Sequence, residues 1–213
     1  MITPASYRPL GASELRLSPL GLGTVKLGRN EGVRYPQAFE LPDDASVLTL
    51  FAEAARLGIN LLDTAPAYGL SETRIGQLLD RQVWDPLICT KVGEHFSAGQ
   101  STWNFSADAV RSSVTDSLKK LRRKQLDIVL VHCPDDDLEV LQNSPVIEVL
   151  RDFQSKGIIK AIGASTKTVE AGLFVVSEMD VVMVAFNQQD QSQLPVIHAA
   201  QQNNKGVMLK KIL

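Results

Sequence analysis

The sequence of 213 residues has little cysteine, almost no net charge and no long apolar run. Its two cysteines, Cys89 and Cys133, are too few for a disulfide framework and are not spaced as metal ligands. No apolar run is long enough to cross a bilayer, and the N-terminus lacks the charged-then-apolar pattern of a signal peptide. A net charge of −2 gives no reason to expect nucleic acid or a membrane surface as a partner. These features predict a soluble, reduced, cytoplasmic protein with no metal site.

Seven short apolar runs, by contrast, are spread along the chain and alternate with helix-like segments. This alternation predicts repeated βα units around a parallel sheet. Polar residues follow the runs, and the carboxyl ends of strands in a (β/α)8 TIM-type barrel converge on one mouth. We therefore predict an α/β barrel rather than an open doubly wound sheet. The predicted strands cover residues 20–24, 59–63, 87–91, 127–132, 158–164, 181–185 and 207–209.

The barrel predicted over residues 1–213 is a single domain without a linker, but it has seven strands instead of eight. A complete barrel of this kind typically needs ~250 residues or more. We therefore expect a C-terminally truncated barrel that lacks its last βα unit. Its first and seventh strands would carry unpaired backbone edges, and self-association through these open edges is expected.

Helices are predicted between the strands from their capping residues and from the helical spacing of their apolar residues. They cover residues 43–58, 73–79, 106–121, 138–155 with an interruption near Pro145, 168–177 and 195–203. A short hairpin is expected before Pro19. Residues 25–42 and 93–105 are expected to form long loops.

Ionisable side chains end three neighbouring predicted strands, namely Asp63, Lys91 and His132. Because an unpaired buried carboxylate is costly, Lys91 is expected to pair with Asp63. The loop after Asp63 contains Tyr68, and a cation beside its phenol is expected to lower the pKa of Tyr68. Tyr68 would then exchange a proton with a reacting oxygen that His132 holds by a hydrogen bond. No side chain of this set accepts hydride, so a cofactor must do so.

The motif Asp63-Thr64-Ala65-x-x-Tyr68-Gly69-x-Ser71-Glu72, together with Lys91 and His132, resembles the aldo-keto reductases. The resemblance implies a (β/α)8 barrel that uses NADPH or NADH to interconvert a small carbonyl or sugar substrate and its alcohol. It also implies that Tyr68 is the general acid and base of this NAD(P)-dependent oxidoreductase. Near the nicotinamide it places Gly23, Thr24, Asp63, Ser165 and Gln188.

The sequence departs from the family pattern at two sites. Thr166 replaces the asparagine that usually contacts the nicotinamide carboxamide, and Lys210-Lys211 replace an aromatic residue that stacks on the nicotinamide in many members. The lysine-rich version is similar to the bacterial sugar-dehydrogenase branch. The segment that grips the adenosine and the 2′-phosphate in the family lies in the unit expected to be missing.

Each residue of the catalytic set also has a structural interpretation. Asp63 and Lys91 could form a structural ion pair. Tyr68 could be an ordinary loop residue, and His132 could be a core histidine whose hydrogen bonds are satisfied. Their coincidence with His132 at the right strand ends favours a catalytic site. For the whole chain three hypotheses stay open: an active oxidoreductase, a catalytically inactive fragment, and a binding subunit that senses nicotinamide cofactors.

Overall fold

The computed structural model describes residues 2–33 and 39–212. Its strands are, in chain order, β1 (Arg8–Pro9), β2 (Arg16–Leu17), β3 (Leu22–Gly23), β4 (Leu61–Asp63), β5 (Leu87–Val92), β6 (Glu94–Ser97), β7 (Gln100–Trp103), β8 (Leu126–His132), β9 (Ile159–Ser165), β10 (Val181–Ala185) and β11 (Gly206–Lys210). Seven of them form one parallel sheet in the order β3-β4-β5-β8-β9-β10-β11. The predicted seven-stranded α/β architecture is confirmed, and no ladder joins β3 to β11 within the described residues.

Helices connect successive strands of this sheet and begin close to the predicted capping residues. They are α1 (Val25–Gly28), α2 (Asp44–Arg56), α3 (Ser71–Leu79), α4 (Ala107–Leu121), α5 (Asp137–Asn143), α6 (Val146–Ser155), α7 (Val169–Glu178) and α8 (Leu194–Gln202), with 3₁₀ turns at Pro4–Ser6 and Pro66–Tyr68. Asp43 caps α2 by accepting a hydrogen bond from the Ser46 N–H at 2.8 Å. Across the two described ranges, no helix is both long and apolar enough to cross a membrane.

Two segments that were predicted as loops contain regular structure. The first, residues 25–42, includes α1, and its residues 34–38 lie outside the described part of the chain. In the second, β6 and β7 pair antiparallel around Ala98 and Gly99, which have φ values of 50° and 77°. Left-handed backbone at both central residues suits a two-residue hairpin turn. The β1–β2 hairpin before Pro19 forms as predicted.

Alternate side chains along the strands enter two separate apolar clusters, since successive side chains of a strand point to opposite faces. Val129 and Val131 of β8 pack outward among the helices, whereas Ile128 and Leu130 face inward. The inner cluster consists of Leu10, Leu15, Leu17, Leu61, Cys89, Ile128, Leu130, Ala161, Val181, Met183 and Met208. The β1–β2 hairpin closes the amino ends of the strands, because Leu10 packs on Gly206 at the start of β11. The carboxyl ends therefore remain as the open end of the curled sheet.

Helix α3 packs against α4 at Gly76, where there is no room for a side chain. A Cβ at this position would lie 2.1 Å from the Lys120 carbonyl oxygen, which is backbone and cannot rotate away. We expect Gly76→Ala to lower the free energy of unfolding by about 1–3 kcal/mol, the usual range for overpacking. Urea denaturation would measure this. The matched control is Gln77→Ala on the exposed side of the same helix, for which a change within about 0.5 kcal/mol is expected. Equal stability of the two variants would contradict this account of the helix contact.

Candidate active site

Three ionisable side chains lie at the carboxyl ends of adjacent strands. Asp63 is the last residue of β4, Lys91 is the next to last of β5, and His132 is the last of β8. The parallel register aligns these ends, because Asp63 pairs with Cys89 two residues before Lys91, and His132 pairs with Ser165 of β9. The sheet thus brings these side chains to one mouth.

Lys91 is the centre of this group. Its ammonium lies 2.7 Å from the Asp63 carboxylate, donates to the Thr64 carbonyl oxygen at 2.8 Å, and sits 4.8 Å from the centre of the Tyr68 ring. Lys91 is 2% exposed, and burial by itself would lower its pKa. Burial is the largest single effect, but Asp63, Tyr68 and Cys89 together outweigh it and raise the pKa of Lys91 overall, so the group stays charged at every ordinary pH.

Tyr68 ends the 3₁₀ turn that follows β4, and Gly69 then reverses the chain. Gly69 has φ of 61°, and a Cβ there would lie 2.2 Å from the Gly28 carbonyl oxygen, so the turn requires glycine. The sequence predicted a lowered pKa for Tyr68, and this was wrong. Burial is the largest effect and raises the pKa of Tyr68, and the neighbouring Lys91 only partly offsets it. The burial of a loop phenol could not be read from the sequence.

His132 lies between Tyr68 and a carboxylate that sequence analysis missed. Its ring meets the Tyr68 ring edge to face, with centroids 6.2 Å apart. On its other side, Nδ1 is 2.6 Å from Oε2 of Glu94 in β6. Burial outweighs this carboxylate and lowers the pKa of His132, so the ring is neutral at pH 7.

Glu94 is held in place by two further residues. Ser101 of β7 donates a hydrogen bond to Oε1 of Glu94 at 2.5 Å, and the Arg29 guanidinium lies 3.9 Å from the same oxygen. Burial favours the neutral acid, but His132, Ser101 and Arg29 together lower the pKa of Glu94 to about 2. A permanent carboxylate next to Nδ1 favours the His132 tautomer with its hydrogen on Nδ1, which leaves Nε2 as an acceptor.

Arg29 links this carboxylate to the loop that carries Tyr68. Its guanidinium stacks on the Phe96 ring of β6 at 3.3 Å from the centroid and donates to the Ala67 carbonyl oxygen at 3.1 Å. Neither Arg29 nor Glu94 was predicted to be a site residue. A glycine flanked by alternating side chains, as in residues 94–103, was the sequence signal that could have indicated the hairpin.

The residues expected near a nicotinamide lie at the same mouth but have different surroundings. Thr24 is buried and donates from Oγ1 to the Asp63 carbonyl oxygen at 2.8 Å, so its side chain ties β3 to β4. Ser165 is buried and accepts a hydrogen bond from the Lys210 ammonium at 2.8 Å. Gln188 is exposed after β10, and a Cβ at Gly23 would meet no atom within 4 Å.

Comparisons with known proteins place the chain among relatives of one family. The family model described as the Aldo/keto reductase family matches residues 19–213. A curated relative, the L-galactose dehydrogenase of Arabidopsis thaliana, is 34% identical over 169 residues, which cover 76% of this chain and 49% of the relative. The NADH-specific methylglyoxal reductase of Escherichia coli is 32% identical over 174 residues, covering 74% and 51%. The chain spans about half the length of these curated relatives.

Solved structures give the same result for the fold. A crystal structure of a Pseudomonas aeruginosa protein assigned to the aldo-keto reductases is 46% identical and superposes with a TM-score of 0.89. The match covers 96% of this chain and 77% of that one. Because the family model spans all but the N-terminal segment and the fold agrees with it, we conclude that the chain belongs to the aldo/keto reductase family.

Proposed function

We propose that this protein is an NAD(P)-dependent oxidoreductase that interconverts a small carbonyl or sugar substrate and its alcohol, with Tyr68 as general acid and base. The observation that carries the proposal is the Lys91 ammonium, 2.7 Å from the Asp63 carboxylate and 4.8 Å from the Tyr68 ring centre. An ion pair with only a structural role does not need a phenol next to its cation. A phenol that bears negative charge in a transition state, by contrast, needs a cation nearby.

Tyr68 moves the proton in this proposal, and the direction follows from its pKa. With a raised pKa the phenol is protonated at neutral pH, so it can donate its proton to the oxygen of a carbonyl that is being reduced. Lys91 stabilises the phenolate that remains. In the reverse direction the phenolate must take the proton of an alcohol, so oxidation should accelerate as the pH rises.

His132 positions the reacting oxygen in this proposal. The neutral ring with its hydrogen on Nδ1, beside Glu94, presents an acceptor at Nε2. An acceptor binds the hydroxyl of an alcohol, whereas a carbonyl oxygen needs a donor. The side chain therefore contributes most directly to alcohol binding, and protonation of His132 at lower pH would make it a donor to a carbonyl.

A nicotinamide cofactor, which supplies or accepts hydride when bound, fits the polar groups beside this set. The Thr166 hydroxyl is buried and has no hydrogen-bond partner within the described residues, as expected of a group that meets a ligand amide. Ser165, Thr166 and Gln188 would hold the carboxamide. Gly23 has no side chain and no atom within 4 Å of where a Cβ would lie, so a ligand can approach the backbone of β3 there. Thr24 and Asp63 would border the nicotinamide ring. NADPH and NADH both contain this carboxamide, so either cofactor satisfies these contacts.

Cofactor titration combined with a turnover assay tests the proposal. NADH and NADPH would be titrated by calorimetry, and turnover would be followed with methylglyoxal for reduction and L-galactose for oxidation, the substrates that the names of two relatives suggest. Turnover that depends on Tyr68 supports the proposal. Binding without turnover of a broad panel of carbonyls and sugars would instead favour a cofactor-sensing subunit, and neither binding nor turnover would favour an inactive fragment.

Self-association through the outer strands of the sheet stays a prediction. Strands β3 and β11 each have one edge without a ladder in the described ranges, and such edges invite pairing with another chain. Light scattering at several protein concentrations would check this. A single monomeric species at all concentrations would contradict it.

A further inference from the structure

Within residues 2–33 and 39–212, Lys210 is a cation without an anionic partner at the mouth of the sheet. It is the last residue of β11, and its side chain reaches across β10 to donate to the Ser165 hydroxyl at 2.8 Å and to the Thr166 carbonyl oxygen at 3.1 Å. Both partners are neutral. Among the described residues no carboxylate lies within ion-pair distance of this ammonium, whereas Lys91 at the same mouth is paired with Asp63.

The charged groups around Lys210 are also cations, so they do not neutralise its ammonium. Its electrostatic neighbours are the ammonium groups of Lys211, Lys91 and Lys167 together with the Cys133 thiol. Burial raises the pKa of Cys133 to about 12, so the thiol is neutral and contributes no charge at pH 7. His132 faces the same space and is also neutral. Burial and these cations lower the pKa of Lys210 to about 8, which leaves it charged at neutral pH.

The register of the sheet sets how far Lys210 lies from the reacting groups. Ser165, which accepts from Lys210, is the ladder partner of His132 on the neighbouring strand. Adjacent strands are about 4.8 Å apart, so the Lys210 ammonium is on the order of one to two strand spacings from His132. A molecule of two or three carbons spans such a distance.

We propose that Lys210 forms an oxyanion subsite that binds the carboxylate of a substrate whose carbonyl or alcohol group lies beside that carboxylate. This inference rests on the proposed function for the identity of the reacting group. A small 2-oxo acid has the required chemistry, because its carboxylate supplies the missing charge while its neighbouring carbonyl oxygen accepts the proton of Tyr68. The Ser165 and Thr166 oxygens keep the ammonium at the mouth and do not neutralise it.

Equilibrium binding to the cofactor-free protein tests the subsite without requiring turnover. Pyruvate would be titrated against pyruvamide, which has the same shape but no charge, with binding followed by NMR chemical shifts. Because a hydrogen bond to a charged group contributes more than a neutral one, we expect Lys210→Met to weaken pyruvate binding about tenfold or more. Pyruvamide binding should not change. Lys211→Met removes an adjacent exposed cation and serves as the matched control, with little effect expected.

The dependence on pH gives a second readout. Pyruvate affinity should fall as the pH rises through about 8, where free Lys210 loses its proton, and this fall should disappear in Lys210→Met. Pyruvate binding that is absent, or equal in the wild type and Lys210→Met, would overturn the proposal. Inorganic phosphate that binds more tightly than pyruvate and depends on Lys210 would assign the subsite to a phosphoryl group and overturn the carboxylate assignment. If the protein turned over neutral substrates but failed to bind pyruvate, only the subsite would be rejected.

Discussion

Replacing Tyr68 with phenylalanine is expected to lower turnover by about 10²–10⁴-fold, the usual contribution of general acid–base catalysis. The substitution removes one hydroxyl from a side chain whose ring still packs edge to face against His132. Folding and cofactor binding should therefore be retained. The rate of carbonyl reduction and the affinity for NADH would both be measured.

The matched control for this substitution is Tyr7→Phe in the N-terminal segment. The Tyr7 hydroxyl donates to the Gly58 carbonyl oxygen at 3.0 Å, so its loss also removes one hydrogen bond, but at the opposite end of the sheet. Turnover of Tyr7→Phe should stay close to the wild-type value. A Tyr68→Phe variant with near-normal turnover would show that another group or solvent moves the proton.

The pH profile gives an independent check on Tyr68. Its pKa is raised, so the protonated form needed for carbonyl reduction persists from neutral pH to at least pH 9. The reduction rate should therefore not decline over that interval because of Tyr68, whereas the oxidation rate should increase with pH. A reduction rate that falls through a pKa near 7 would instead support the lowered pKa expected from the sequence.

Replacing Lys91 with methionine is expected to abolish most turnover and also to destabilise the fold. Loss of the ammonium leaves the partly buried Asp63 carboxylate and the Thr64 carbonyl oxygen without their donor. Breaking a fully buried ion pair costs about 3–5 kcal/mol, and the partial exposure of Asp63 reduces this to roughly 1–3 kcal/mol. The pKa of Tyr68 should rise further, because Lys91 is the neighbour that lowers it.

A double substitution separates the structural and catalytic contributions of Lys91. Lys91→Met combined with Asp63→Asn removes both charges, so the free energy of unfolding should recover in part while turnover does not. Lys156→Met is the control, since its ion pair with Asp152 is exposed and should contribute less than about 1 kcal/mol. Recovery of turnover in the double variant would mean that the pair is only structural.

The positions of Asp63, Lys91 and His132 could be predicted from the sequence because each ends an apolar run. In a parallel sheet the carboxyl ends of the strands meet at one edge, so local pattern determines long-range proximity. The same rule applies to Lys210 at the end of β11, whose charge was noted only as a departure from a family pattern. The rule does not predict which side chains surround the residue at each strand end.

Glu94 and the direction of the Tyr68 pKa shift show where sequence reasoning fails. Glu94 reaches His132 through a hairpin whose turn contains Ala98, a residue that rarely adopts a left-handed conformation. The pKa of Tyr68 depends on the competition between burial and a nearby cation. A sequence shows the cation but not how much solvent the folded chain removes, so the sign of the shift was predicted incorrectly.

The environment of His132 depends on whether the β6–β7 hairpin is locally folded. A two-stranded hairpin is marginal on its own, so this one depends on tertiary contacts such as Arg29 on Phe96 and the packing of Phe105 against Gly93. Such a unit can open at a smaller free energy than the parallel sheet requires to unfold. Each opening would release Glu94 and let His132 exchange tautomers. The opening equilibrium of the hairpin therefore sets the fraction of molecules in which Glu94 holds His132. The Asp63–Lys91 pair depends instead on the rarer opening of the parallel sheet.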